Sequence, residues 1–166
     1  MTIVEVLDEP LLLACVPVIR AAFQTVADEM KLTPENAPTN PAFMTAERLR
    51  KERARGVRMF ALLSGDGPDA GPAGFVALEP GRQPGVLYLE RLAVQPGHRH
   101  HGYGRALVDH CFAEAHRAGA ERISIGLIDE QAVLKRWYLD YGFTVTGTRS
   151  FPHLPFTVCF MEKAVG

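Results

Sequence analysis

Two periodicities take turns along this chain, and their order lays out a mixed sheet with helices packed on it. Residues 2–7 alternate between polar and apolar positions, which predicts a first strand. From residue 10 to 30 the apolar positions Leu12, Leu13, Val16, Ile19, Phe23 and Val26 recur at helical spacing. Pro17 is expected to disturb or delay that helix, because it lacks an N–H and its ring crowds the preceding turn. Residues 31–43 hold Pro34, Pro38 and Pro41 and read as an extended loop. Thr45 can cap a short charged helix over 46–55, with Gly56 as its stop. Residues 57–63 and 73–79 read as strands joined by a turn, SGDGPDAGPAG. A longer strand over 85–94 follows. A helix then runs to about residue 118 and ends near Gly119, with Leu107, Cys111, Ala115 and Ala118 as its apolar stripe. The last third reads strand (122–128), helix, strand (143–148) and strand (157–163). Asp129 is the expected cap of that helix and Gly142 its stop. Consecutive strands without helices predict an antiparallel meander in the first half. Strand–helix–strand pieces predict parallel neighbours in the second.

Composition adds little to this picture, but it excludes some things. With 166 residues and 47% hydrophobic content, residues 1–166 fit one domain whose core needs no covalent staple. The net charge of −1 offers no diffuse attraction for nucleic acid, so any affinity for phosphate must be local. The three cysteines, Cys15, Cys111 and Cys159, are odd in number and far apart, and each lies in an apolar stretch. They read as buried thiols in a reducing compartment. Glu5, Asp8 and Glu9 argue against a signal peptide, and no uninterrupted apolar stretch reads as a membrane span. The expectation is a cytoplasmic protein with neither membrane nor nucleic acid as partner.

The chemistry concentrates after the long strand. Gly102 and Gly104 punctuate a short loop, and a helical pattern starts directly behind them. A helix start presents unpaired N–H groups and the positive end of the dipole. Arg99, His100, His101 and Arg105 add positive or protonatable side chains. The loop therefore predicts a phosphate-bearing ligand. A P-loop is excluded because no lysine stands between Lys51 and Lys135. A dinucleotide fingerprint is excluded because its third glycine is Leu107 here. His98, His100 and His101 have no carboxylate or cysteine beside them, and adjacent histidines diverge, so no metal site is expected.

The run Arg99-x-x-Gly102-x-Gly104, preceded by Leu92-Ala93-Val94, resembles the acetyl-CoA motif of the Gcn5-related N-acetyltransferase (GNAT) superfamily. LERLAVQPGHR is similar to the approach to that motif, and RWYLDYGF resembles the end of a later family helix. The resemblance implies an α/β (α+β) fold, a mixed central sheet of about six to seven strands flanked by about four helices. It implies acetyl-CoA as co-substrate, with no metal. The backbone of His100, His101, Gly102, Tyr103, Gly104 and Arg105 would cradle the pyrophosphate, with the two glycines allowing close approach and unusual dihedrals. Arg99 and Arg105 would add charge-assisted bonds. The backbone of Leu92, Ala93 and Val94 would pair with the pantetheine arm.

The resemblance further implies direct attack by a primary amine. Glu90 is the expected base, against a reading as a carboxylate paired with Arg91 or another strand's arginine. Tyr138 is the expected acid for the CoA thiolate, against a purely packing role. Gln131 stands where the family often has a cofactor-binding Asn. Tyr88 shares Glu90's strand face and reads equally as acceptor-site or core residue. Residues 31–43 and 149–156 would border the acceptor cleft, with His153, Phe151 and Phe156 as candidates there. A small-molecule amine is preferred as acceptor over a peptide or protein amine. A non-catalytic CoA-binding sensor is the reading from another class, and a homodimer stays open.

Overall fold

The computed structural model describes residues 1–65 and 70–166, so the middle of the 64–74 turn lies outside the described residues. The strands are β1 (Thr2–Glu5), β2 (Arg58–Leu63), β3 (Pro72–Pro80), β4 (Val86–Val94), β5 (Arg122–Ile128), β6 (Thr144–Ser150) and β7 (Thr157–Ala164). The helices are α1 (Glu9–Glu29), α2 (Ala46–Ala54), α3 (Tyr103–Arg117) and α4 (Ala132–Tyr141). The strands form one sheet in the order β1-β2-β3-β4-β5-β7-β6. β1 to β4 make the expected antiparallel meander, and β4 pairs β5 in parallel.

The expected parallel contact after β5 is corrected. β7 inserts between β5 and β6 and pairs antiparallel with both. The reason lies in β7 itself, whose Cys159 and Met161 are fully buried in the core under α3. The β6–β7 turn folds β7 back into the slot beside β5, and β6 is left as the exposed edge.

The pleat sends alternate side chains into two cores. On β2, Phe60 and Leu62 join Leu107, Val108, Cys111 and Ala115 of α3. Met59 and Ala61 join Leu12, Cys15 and Ile19 of α1 and Leu49 of α2 on the other face. Gly74 sets how closely α3 sits on the sheet. A Cβ there would stand 2.9 Å from Leu107 Cδ1 and 3.2 Å from the Ala93 carbonyl oxygen.

Helix α1 corrects two expectations. Pro17 lies inside it without ending it. Both Pro17 and Leu13, four residues earlier and so on the same helix face, are exposed, and water can satisfy the Leu13 carbonyl that loses its partner. α1 is also long and apolar enough to cross a membrane by length and composition, with mean hydropathy 1.6 over an 18-residue window, where the sequence pattern predicts no span. Here it lies on the sheet, with Leu12, Cys15, Val18, Ile19 and Ala27 buried. Asp8 caps it by accepting from the Leu11 N–H at 2.9 Å, and Thr45 caps α2 as expected. Asp129 does not cap α4. The helix starts after Gln131, and Asp129 instead holds Lys135 Nζ at 2.7 Å. All three cysteines are buried free thiols.

Candidate active site

The two strands at the centre of the sheet part company. β4 and β5 pair only from Val86↔Arg122 to Tyr88↔Ser124. On its other side β4 pairs β3 as far as Val94, and β5 pairs β7 as far as Ile128. Beyond Tyr88 and Ser124 two strand edges therefore face a wedge with no ladder between them. Leu92, Ala93 and Val94 lie on the β4 side of that wedge. Such an edge can pair with an extended, amide-bearing ligand as an added strand does.

The loop after β4 leads straight into α3, whose start packs near Val94 of β4 and Trp137 of α4. His100 and Gly102 both have left-handed backbone, with φ of 66° and 78°. Alternation of this kind aims neighbouring N–H groups into one concavity. Gly102 is the N-cap of α3, no side chain caps that end, and no acidic residue stands in its first turn. The N–H groups of Tyr103, Gly104 and Arg105 are thus available to an anion. A Cβ on Gly102 would meet nothing within 4 Å, so the turn is open at that position. Gly104 differs from expectation, since it is an ordinary helical residue packed near Trp137 and Val94.

The charged side chains around the loop are partly engaged elsewhere. Arg99 Nη2 donates to the Ala22 carbonyl of α1 at 3.0 Å and ties the loop to that helix. Arg105 stacks its guanidinium 5.2 Å over the Tyr141 ring. His101 turns Nδ1 onto the Arg99 carbonyl at 2.8 Å, which assigns the proton to that nitrogen.

Glu90 stands on β4 at the edge of the wedge, on the face toward α2. Its carboxylate accepts from Arg91 Nη1 at 3.0 Å, so the pairing weighed from sequence is present. Burial nevertheless pushes its carboxyl up to about 7, against the pull of Arg91. Glu79 and Glu52 push it the same way as burial. Glu79 lies diagonally opposite on β3, where the register sets Glu79 against Tyr88 and Ala77 against Glu90. Tyr88, Glu79 and Glu90 thus share one face, with Tyr88 half-buried.

Tyr138 of α4 is 5% exposed, between the rings of Trp137 at 5.0 Å and Phe143 at 5.4 Å. Burial holds its phenol well above the usual range, so it stays a neutral donor. Gln131 is half-buried at the head of the same helix. The two variable segments meet each other. Phe43 and Phe156 pack on a small core of Ala27, Leu32, Ala37 and Ala42. Beside it a cavity of about 220 Å³ is lined by Glu130, Ser150, Leu154, Pro155, Phe156 and Thr157. His153 is exposed on the β6–β7 turn and tilts against Phe151 at 5.7 Å.

Three residues complete the surroundings of Glu90; the sequence flags Arg91 only as its ion-pair partner and gives no sign of Glu52 or Glu79. Arg91 has φ of 55° and sits at a β-bulge, where the β3–β4 register slips between Phe75↔Ala93 and Ala77↔Glu90. Glu52 of α2, 6% exposed, takes Arg91 Nη2 at 2.8 Å. Glu79 completes the group. Two adjacent charges inside an apolar strand, Glu90-Arg91, were the available signal of a bulge. Among the described residues no group of His, Cys, Asp and Glu is placed to hold a metal.

A family model for the Acetyltransferase (GNAT) family matches residues 23–143, more than half of the chain. The chain belongs to the GNAT acetyltransferase family. No curated protein matches it in sequence. Among solved structures it is similar to the PaiA N-acetyltransferase of Thermoplasma acidophilum in complex with coenzyme A. The TM-score is 0.74 at 16% identity, over 99% of both chains. It is similar to the ribosomal-protein-S18-alanine N-acetyltransferase of Escherichia coli, with TM-score 0.72 and 16% identity over 99% of this chain and 95% of that one. These two likenesses bear on the fold, and the seven-stranded sheet with four α-helices agrees with them. A nourseothricin acetyltransferase shares 26% identity with a TM-score of 0.59, over 66% of each chain. The GNAT chain described here thus spans about two thirds of that protein. As a GNAT acetyltransferase it is acetyl-CoA-dependent by family.

Proposed function

We propose that this GNAT protein moves the acetyl group of acetyl-CoA to a primary amine by direct attack in a ternary complex, with a small molecule as acceptor. The observation that carries the reading is the wedge beyond Tyr88↔Ser124, with Glu90 at its edge and an uncapped α3 start packed near Val94. The residues fit the co-substrate. Backbone N–H groups from His100 to Arg105 receive the pyrophosphate, and the free edge at Leu92–Val94 receives the amide-bearing arm. Acetyl-CoA supplies the activated thioester.

The chain's own groups then handle protons. Glu90, with a carboxyl near 7, takes a proton from the acceptor ammonium close to neutral pH. The free amine attacks the carbonyl carbon, a C–N bond forms, the C–S bond breaks, and the proton that the nitrogen sheds on becoming the amide passes through solvent to restore the Tyr138 phenol after it has protonated the thiolate. Tyr138 holds its proton on the phenol oxygen and delivers it to the departing thiolate. The small-molecule acceptor is favoured by the likeness to an acetyltransferase named for nourseothricin.

The test incubates the purified protein with acetyl-CoA and two panels, one of small primary amines and one of peptides with free N-termini or lysines. Release of CoA thiol is followed. Turnover with small amines supports the reading. Turnover confined to peptides replaces the acceptor class. Acetyl-CoA binding without turnover on either panel replaces the enzyme with a sensor.

A further inference from the structure

Arg91 sits where neither packing nor backbone preference would put an arginine. Its side chain is 8% exposed, and its backbone is left-handed within a strand. Unbroken alternation would turn Arg91 toward the α3 core that holds Leu89, Leu92 and Val94. The bulge prevents this by placing two successive side chains on one face. Glu90 and Arg91 therefore both face α2. There the guanidinium forks, with Nη1 3.0 Å from Glu90 and Nη2 2.8 Å from Glu52. The Glu52 contact is close but poorly aligned, leaving Arg91 Nη2, Arg91 Nε and Glu52 Oε2 without a well-directed hydrogen bond. One cation is thus shared between two carboxylates and saturated by neither.

We propose that Arg91 is a positioning residue: the chain Glu52–Arg91–Glu90 fixes the Glu90 carboxylate at the bulge and couples its proton affinity to helix α2. The inference rests on the reading of Glu90 as proton acceptor. The charged groups facing Glu90 are Arg91 on its own strand, Glu79 on β3 and Glu52 on α2, with Arg48 3.4 Å from Glu52. α1 packs on the same face, but its Arg20 and Asp28 are exposed and its Glu9 is paired with Arg50 and Arg53. Arg91 draws the Glu90 carboxyl down, whereas Glu52 draws it up both directly and by occupying Arg91.

The two partners therefore have opposite effects, which a merely structural role would not give. The titration of the Glu90 side-chain carboxyl is read by NMR, alongside the acidic limb of kcat/KM. Glu52→Gln should move both to lower pH by about one unit, because Arg91 then serves Glu90 alone. Arg91→Met should move both to higher pH by a similar amount. Because Arg91→Met could disturb the bulge, Arg91→Lys is the rescue variant. It keeps the charge and should bring both readouts back to within about half a unit of the wild type. Opposite shifts in the NMR titration support the coupling. If they occur while the kcat/KM limb stays fixed, the coupling holds and the role of Glu90 as base falls instead. No shift in Glu52→Gln, or shifts of the same sign in Glu52→Gln and Arg91→Met, overturns the proposal.

Discussion

Tyr88 lies opposite Ser124 in the last rung of the parallel ladder between β4 and β5. Past that rung each strand keeps its outer partner, Val94 against Gly74 on one side and Ile128 against Val158 on the other. The opening is therefore a split within a continuous sheet, held apart by two intact halves. α3 packs on β3, β4 and β5, with Leu107 seated against Gly74. The uncapped start of α3 and the unpaired edge of β4 consequently hold a fixed relation to each other, which a ligand with a phosphate end and an amide-bearing arm requires.

The two glycines of the loop should behave in opposite ways. Gly102 has φ of 78°, and an alanine there costs about 1–2 kcal/mol of left-handed strain. Its methyl would meet no other protein atom within 4 Å, so the cost lies in straining the turn from which the α3 N–H groups project. Gly102→Ala should lower the melting temperature and weaken acetyl-CoA binding. Gly104 is helical, and its added Cβ would stand 3.8 Å from Trp137, an ordinary contact. Gly104→Ala should stabilise the fold by about 0.5–1 kcal/mol. Thermal denaturation of the two variants checks the opposed signs, and acetyl-CoA titration of Gly102→Ala checks the binding loss.

The pH dependence follows from Glu90, whose carboxyl is raised from 4.5 to about 7. On the proposed mechanism kcat/KM rises with pH through an acidic limb near 7, and Glu90→Gln lowers activity and removes that limb. The stability effect has the reverse sense. Between 4.5 and about 7 the folded state binds the proton more tightly than the unfolded chain, so this group's contribution to stability declines as pH rises through that window. Glu90→Gln mimics the neutral form and should be more stable than the wild type above pH 7, with little difference below pH 4.5. Denaturant unfolding at pH 4 and pH 8 measures the crossover.

Tyr138 separates chemistry from packing. Its ring is enclosed by Trp137 and Phe143, and phenylalanine keeps those edge-to-face contacts. Tyr138→Phe should therefore leave stability and acetyl-CoA affinity near wild-type values. Loss of the phenolic proton should reduce kcat by about 100-fold. An unchanged kcat would take Tyr138 out of the mechanism.

What was legible in the chain was whatever a local rule governs. Thr45 capping α2, Gly119 ending α3 and the short apolar run of β2 all follow from short-range chemistry. The tight turn and the helix start behind it were legible too, because Gly102 and the first residues of α3 are contiguous. The misses needed distant partners. Pro17 was expected to disturb or delay α1 because its own turn loses a bond, and only the exposure of Leu13 shows why the helix runs on through it. Asp129 was expected to cap α4, but its carboxylate is held by Lys135 instead. β7 reaches the slot beside β5 through burial of Cys159 and Met161, which no local pattern reveals. Glu79 and Glu52 entered the site through register and tertiary packing. Arg91 had a local trace, since a charge pair inside an apolar strand interrupts its alternation.

Acceptor recognition can be tested apart from the cofactor through Phe156. The ring packs with Phe43 on the small core between the two variable segments and also lines the neighbouring cavity. It is half-buried, so Phe156→Ala should cost about 2 kcal/mol, less than a fully buried ring would. The loss should loosen residues 31–43 and 151–156 together, because each segment is the other's packing partner. The cofactor loop is tied separately, through Arg99 on Ala22 and Leu107 on Gly74. On the proposed reading the variant therefore raises KM for the acceptor amine several-fold and leaves KM for acetyl-CoA unchanged. Steady-state kinetics with each substrate varied in turn decides it. A rise in KM for acetyl-CoA alone would move the acceptor site away from these segments.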